Sequence, residues 1–398
     1  VHGCAVLKAL LVSFLLCLLK TLLKYFILSV LLLVSGFFAS CNYLNIDDYF
    51  EDTFQEDSIY ANKRNIERYF NGAAALLPVV DNIWEYGNTP GVTGSDEAVS
   101  CGDWNGMVVI QFSGTKLMNN EITSSSMGGW TWDFNIWPKC YKVIRKVNTI
   151  LPHIDGVRDM NSFERMEFRA KCRFLRAYAY YLILQQNGPM ILLGDEIVSN
   201  NEEAEYYART RNTYDECVTY ITNELVLAAQ ALPLDRAIQE IARPTRGAAL
   251  ALRAKVLLYA ASPLMNGQTP ADIASELVDD QGNRLLPEAY DESKWAKAAA
   301  AAKDVIELNR YTLFVSYATD KGDIAFPATI APPYHPEFSE QAWPNGWKDI
   351  DPFESYRAIF NGTVSAFENK ELIFTRGQNT GDQSINNMVI HQLPRVAK

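Results

Sequence analysis

Successive amphipathic helices, each stopped by proline or glycine, constrain the fold of this chain more than any other feature. Between Ser58 and Tyr311 apolar residues return every three or four positions, the period of a helix with one buried face. The first run, Ile59 to Leu77, puts Ile66, Tyr69, Phe70, Ala73 and Leu77 on one side and stops at Pro78. Trp137, Tyr141, Ile144, Asn148 and Leu151 make a second face, expected to end at Pro152. Phe163 to Gln186 follows, with Phe174, Tyr178, Tyr181 and Leu182 on one side and Gly188-Pro189 as the stop. Thr213 to Glu216 reads as a capping box opening a helix through Val218, Ile221, Leu225 and Ala228 to Pro233. Thr245 caps another, through Ala248, Leu252, Val256 and Tyr259 to Pro263, and a last one spans Trp295, Ala298, Ala302, Val305 and Leu308.

Paired helices with Ala at the close contacts and Trp or Tyr at the large ones predict a mainly α fold of tetratricopeptide-like pairs, although no repeat matches that consensus. Trp137 and Trp295 are assigned to helix packing. In such a stack the helices are scaffold and the insertions between them carry function. One insertion, about 79–130, is rich in Gly, Ser and Asn, holds "SDEAVSCGDWNG" and "EITSSSMGGWTW", and is too long for an idle loop. After Thr312 a Pro- and aromatic-rich section, "FPATIAPPYHPEFSEQAWPNGWKDIDPF", is expected to be irregular, and Asn369 to Gly377, "NKELIFTRG", to form one short strand.

The N-terminal part is of another kind. Lys20 and Lys24 precede an uncharged run, Tyr25 to Ala39, of signal-peptide length and short of the roughly 20 residues that a spanning helix needs. No Met precedes Met107, so translation is expected to start near Leu18 rather than at Val1. Phe38-Ala39-Ser40-Cys41 has small residues before a cysteine and resembles a bacterial lipobox, with Phe38 where Leu is usual. Residues 1–40 are then a lipoprotein signal peptide, Cys41 the lipidated first residue, and 41–57 a tether; ordinary cleavage near Ser40 is the alternative.

Charge narrows the partners. The net charge of −11 includes three lysines in the leader, and from Cys41 onward 33 basic residues face 47 acidic ones. Such an acidic surface argues against nucleic acid and against docking on a bilayer through basic patches. Small neutral ligands and protein partners stay open. Cys101, Cys140, Cys172 and Cys217 show no zinc spacing and read as ordinary buried thiols.

Chemistry is sparse. There is no P-loop, no GxGxxG after a strand, no HExxH and no GxSxG, so neither cofactor nor metal is expected. His2, His153, His335 and His391 are isolated from one another. "DDQGN", Asp279 to Asn283, lacks the alternating oxygen ligands of a calcium loop and reads as a turn. Asp96 and Glu97 could cleave a glycoside only if they faced each other at the separation that mechanism demands, and could equally hold the insertion together. The chain is read as a binding protein, not an enzyme.

Seven stretches in order, "SCNYLNID", "WPKCYKVIRKVNTIL", "RAKCRFLRAYAYYLILQQNGPMILL", "TYDECVTYITNELVLAAQALP", "RPTRGAALALRAKVLLYAASPLMNG", "WAKAAAAAKDVIELNRYTL" and "NKELIFTRG", resemble the SusD/RagB family of nutrient-binding outer-membrane lipoproteins of Bacteroidetes. The resemblance implies one α-rich domain, 58–398 here, whose C-terminal part is incomplete because family members continue after the last of these stretches. It also implies a lipid-anchored protein facing the cell exterior that captures oligosaccharide and delivers it to a SusC-like TonB-dependent transporter, without chemistry of its own. Glycan capture in that family rests on aromatic rings stacked on sugar faces, with polar side chains for the hydroxyls. The matching candidates are Trp104 with Asp103 and Asn105, then Trp130 and Trp132, and a second set, Trp343 and Trp347. For each ring the alternative is burial under its own loop. Other readings of the chain are a helical-repeat scaffold joining proteins, a peptide-binding member of the same family, and a glycosidase with two carboxylates across an aromatic cleft.

Overall fold

A computed structural model describes residues 22–24, 59–78, 95–96, 120, 135–199, 201–317, 333–360, 363–365 and 367–374. The chain divides into two units, Val1–Ile59 and Tyr60–Lys398. Of the first, only Leu22, Leu23, Lys24 and Ile59 are described; the three leader residues are helical and exposed. Cys41 and the tether lie outside the described residues, as do most of the insertion and residues 375–398. No helix among the described residues is long and apolar enough to cross a membrane.

The second unit is a stack of helices in which each element packs against the next in sequence. These are α1 (Lys63–Ala74), α2 (Trp137–Ile150), α3 (Ser162–Asn187), α4 (Tyr214–Ala231), α5 (Arg246–Ala261) and α6 (Ser293–Ile306). A further helix, α7 (Pro352–Phe360), comes after them, and Ala204–Tyr207 and Ala271–Glu276 are single helical turns. Among the described residues there is no strand, only the isolated bridges Val278–Arg284 and Tyr317–Ile350.

Caps account for where the helices begin. Asn62 and Thr245 each accept a hydrogen bond from the third backbone N–H of α1 and α5. Thr213 and Glu216 form the capping box of α4, and Asn161 with Glu164 a second one at α3. Gly188, with φ of 72°, closes α3 in a conformation that glycine adopts without strain.

The longest helix, α3, lies between α2 and α4 and is therefore buried on two sides, from Phe168 through Phe174 and Tyr180 to Leu184. Its partners bring Val143, Ile144 and Val147 from α2 and Cys217, Ile221 and Leu225 from α4. At the far end, Ala248, Ala249, Ala260 and Ala261 of α5 and Ala298 and Ala301 of α6 are buried, so small side chains line the closest helix pair. Gly247 belongs to the same logic, since a Cβ there would lie 1.8 Å from the Tyr311 hydroxyl.

The second α-helix ends at Ile150, beside the expected stop at Pro152, and the chain tightens there into a 3-10 turn, Leu151–Gly156, whose first positions tolerate a proline that has no N–H to offer. Other expectations change. Residues 369–374 form turns, not a strand, because Glu371 caps the backbone of Phe314 and Lys370 accepts from Thr312 in place of a ladder. α7 is a helix to which the sequence reading assigns nothing, and only its first residues, Pro352 and Phe353, belong to the section expected to be irregular; buried Asp351 starts it by accepting from the Glu354 N–H. Trp295 is 40% exposed at the start of α6, so it does little of the packing assigned to it.

Asp279 to Asn283 is a turn, as expected: one Asp279 oxygen accepts from the N–H groups of Gln281 and Asn283, and Gly282 supplies a φ of 82°. Cys140, Cys172 and Cys217 are free and buried, and burial pushes the first two thiols up to about 12 and the third to about 11.

Candidate functional site

Of the residues proposed for ligand binding, Asp103, Trp104, Asn105, Trp130 and Trp132 lie outside the described residues. Trp343 and Trp347 are described, and both stand on a knot of turns, residues 333–350, that leads into α7. The knot is built from local bonds. His335 accepts at its carbonyl from the N–H groups of Phe338 and Ser339, and its own N–H donates to Ser339 Oγ at 2.7 Å. Phe338 O then accepts from Gln341 and from Trp347, while Ala342 O accepts from Asn345 and Gly346. The Trp343 N–H donates to Asp349 Oδ1 at 2.8 Å, and the Trp343–Pro344 peptide is cis.

This path brings rings from separate positions together. Phe338 lies 4.8 Å from the His335 ring at an interplanar angle of 26°, and 5.7 Å from Trp347 at 36°. Gly346 makes the approach possible, because a Cβ there would sit 2.1 Å from Phe338 O and 2.5 Å from Gln341 O. Trp343 and Trp347 are half-buried, Phe338 is 38% exposed and Tyr334 is 71% exposed. Each of the two tryptophans is thus neither fully buried nor fully exposed. His335 and Phe338 escaped the sequence reading, although the turn signal in "HPEFS" placed them within one bend.

Hydrogen bonds tie the segment before the knot to the start of α7. Asp351 N–H donates to Ser316 O at 2.8 Å, and Ser316 N–H to Ser355 Oγ at 2.9 Å. Beyond α7, Phe374 sets its ring edge-on to Phe174 and Tyr178 of α3, at 5.3 and 6.3 Å.

A second loop, 188–212, is positioned by the stack itself. Buried Arg176 of α3 donates to both Glu224 of α4 and Asn148 of α2, at 2.7 Å each, and also to the Gly194 carbonyl and Asp195 carboxylate of the loop. Asn148 Nδ2 donates to the carbonyls of Gly194 and Glu196, and the Tyr141 and Tyr180 hydroxyls meet the backbone of Ile191 and Leu193. Burial opposes the charge of Arg176, but Glu224, Tyr220 and Asp195 together outweigh it and hold the guanidinium protonated. Arg173 also pairs with Glu224, so two cations share that carboxylate, and the set is suited to fixing backbone. The ring knot, by contrast, offers apolar ring faces beside polar groups. Among the described residues no cluster of His, Cys, Asp and Glu could hold a metal ion.

A mainly helical, repeat-like scaffold with an aromatic loop is the arrangement on the page, and comparison with known proteins finds the same class elsewhere. Residues 72–258 match the family model SusD-like_3, described as "Starch-binding associating with outer membrane". Over that span, a little under half of its length, the chain is similar to SusD-like proteins.

A SusD-like protein (BF3747) from Bacteroides fragilis has the same fold, with a TM-score of 0.51 at 20% identity over 80% of this chain and 45% of its own. The structure titled "BT4246" is 30% identical over 45% of this chain and 31% of its own, with a TM-score of 0.41. Surface glycan-binding protein A from Bacteroides thetaiotaomicron is 17% identical over 64% of this chain and 44% of its own, with a TM-score of 0.43. This chain thus spans less than half the length of the solved structures it matches. No match is found among curated proteins.

Proposed function

We propose that this protein is a cell-surface glycan-binding lipoprotein that captures oligosaccharide and delivers it to a SusC-like TonB-dependent transporter, doing no chemistry itself. The observation that carries the reading is the match of residues 72–258 to a family described as starch-binding and associating with the outer membrane. The ring knot supports it from the side of geometry. Flat aromatic faces suit the apolar C–H face of a pyranose, and the turns beside them hold polar groups for its hydroxyls. In this proposal Trp347 and Trp343 contribute one ring set, and Trp104, Trp130 and Trp132, with Asp103 and Asn105, the other. Cys41 carries the lipid after removal of residues 1–40, residues 41–57 are the tether, and the remainder is the binding domain facing the exterior.

Affinity electrophoresis through gels containing a panel of polysaccharides tests the sugar reading. The protein is expected to be retarded by at least one glycan, and Trp104→Ala, Trp130→Ala and Trp347→Ala to migrate faster in that gel. If no glycan retards it, the reading fails. For the anchor, Cys41→Ala is expected to move the protein from the outer-membrane fraction to the soluble one when the transporter is deleted; retention there would sink it.

A further inference from the structure

The acidic whole-chain balance hides a segregation that the fold exposes. Helices α1 and α2 together carry seven basic side chains and one carboxylate, in a chain whose net charge is −11. Lys63 pairs with Glu164, and the single carboxylate, Glu67, faces Lys171 of α3. On α2, Lys139, Lys142 and Lys146 succeed one another at spacings of three and four, which aligns them along one side of the helix over about 10 Å. Lys142 is exposed, and Lys146 places its ammonium 4.0 Å over the ring of half-buried Tyr69 on α1. Arg64 and Arg68, one turn apart on α1, are also exposed and line an open depression with Lys63, Glu67, Asn71 and Asp159.

We propose that this basic face of α1 and α2 binds an acidic polysaccharide, a polymer with carboxylates along its length such as a polyuronate. The proposal rests on the glycan-capture reading and names the class of glycan. Charge complementarity argues for a polyanion, because a local group of cations on an otherwise acidic protein selects for negative charge. The Tyr69 ring beside Lys146 supplies an apolar element next to the charges, and the Arg64 and Arg68 guanidiniums match carboxylates in geometry. An anionic bilayer is disfavoured as the occupant. A helix face that lies in a membrane interface needs large apolar side chains to insert, and none of the exposed large apolar residues belongs to α1 or α2.

The test uses the full chain in detergent and two defined polymers, polygalacturonate and neutral amylopectin, in affinity electrophoresis and titration calorimetry. Polygalacturonate is expected to bind, more weakly as salt rises. K142E/K146E is expected to weaken that binding by at least about five-fold, with far-ultraviolet circular dichroism and any amylopectin binding unchanged. Arg64→Gln provides a milder variant with the same direction of effect. Absence of polygalacturonate binding overturns the proposal, as does equal binding by wild type and K142E/K146E. Binding only to micelles of a short-chain phosphatidylglycerol overturns it too and identifies the face as a lipid contact. Binding of neutral glycan without polygalacturonate binding defeats this proposal alone; failure of every glycan defeats the glycan reading as well.

Discussion

The helix stack from Trp137 to Ile306 and the late segment from Pro333 to Phe374 are held together by different means. In the stack, apolar stripes meet across helix pairs, and a charged junction is sealed inside them: Arg176 is 1% exposed and its partner Glu224 6%. In the late segment the large side chains face outward. Phe353, Tyr356 and Phe360 of α7 are 41%, 69% and 71% exposed, and the path of the chain is set by turns and close backbone contacts such as that at Gly346. The difference teaches where substitutions propagate. A fault in the stack is shared by three helices, whereas a fault in the knot stays in the knot, where rings are free to meet a ligand.

The largest expected effect is therefore at Arg176. Arg176→Leu leaves the buried Glu224 carboxylate with Arg173 as its remaining ion-pair partner and frees the Gly194 and Asp195 contacts of the loop. Breaking a buried pair from one side costs about 3–5 kcal/mol. Urea denaturation followed by circular dichroism should show a loss of that order, partly restored by adding Glu224→Gln. A loss below about 1 kcal/mol would mean that the junction contributes little and that the contrast between the two regions is false.

Gly346→Ala attacks the other side of the comparison. The new Cβ must displace the Phe338 carbonyl, and overpacking of this kind costs about 1–3 kcal/mol. The prediction is confinement: tryptophan emission and protease sensitivity of the 333–350 knot should change, while the urea midpoint of the helical signal stays within error. A shift of the helical midpoint would show that knot and stack unfold together.

A smaller effect is expected at Thr213, whose hydroxyl accepts from the Glu216 N–H while Glu216 accepts from the Thr213 N–H. Thr213→Ala should cost about 1 kcal/mol in the same denaturation experiment, the usual value of a lost cap. It leaves the knot untouched, which a constant ring-cluster emission would confirm.

The stack was legible because its signals are local and periodic. Caps at Thr213 and Thr245, stops at Gly188 and Pro233, and the stripes of α4 and α5 are written in neighbouring residues. The Arg176 junction was not read, although the sign was present: Arg176 stands one turn from Cys172 and Tyr180 on a buried side, and Glu224 stands between Ile221 and Ala228. A charge on an apolar stripe implies a partner, but sequence spacing cannot say that the partner is on the next helix. α7 is short, nine residues, and its Pro352 suits the first helical turn, a signal that a Pro-rich surrounding hides. The candidate site was legible only as residue types. Trp347 was picked out, but its grouping with His335 and Phe338 depends on a reversal of the chain that no periodicity announces.

The smallest effect, and the most local, concerns the loop that the stack pins. Arg209 donates two hydrogen bonds to Glu196, at 2.6 and 2.7 Å, and the Tyr206 hydroxyl adds a third. The Arg209 bonds, then Tyr206, hold the Glu196 carboxyl down to about 2 from an ordinary value of 4.5. A carboxylate whose folded value is depressed stabilises the fold fully above its unfolded value and loses that contribution as pH falls through its folded one. The loop contribution should therefore be intact at neutral pH, decline below about 4.5, and vanish near about 2. Because the pair is solvent-exposed, the loss should open the loop and leave the helices closed. Hydrogen exchange, corrected for the intrinsic pH dependence of the amides, should show residues 196–209 losing protection between about pH 6 and about pH 3, while α4 keeps its own. In Glu196→Gln the loop should be equally unprotected at both pH values. If it keeps wild-type protection there, the bonds from the Arg176 junction to Gly194 and Asp195 are enough to hold the loop, and the ion pair is ornament on a segment already fixed from inside the stack.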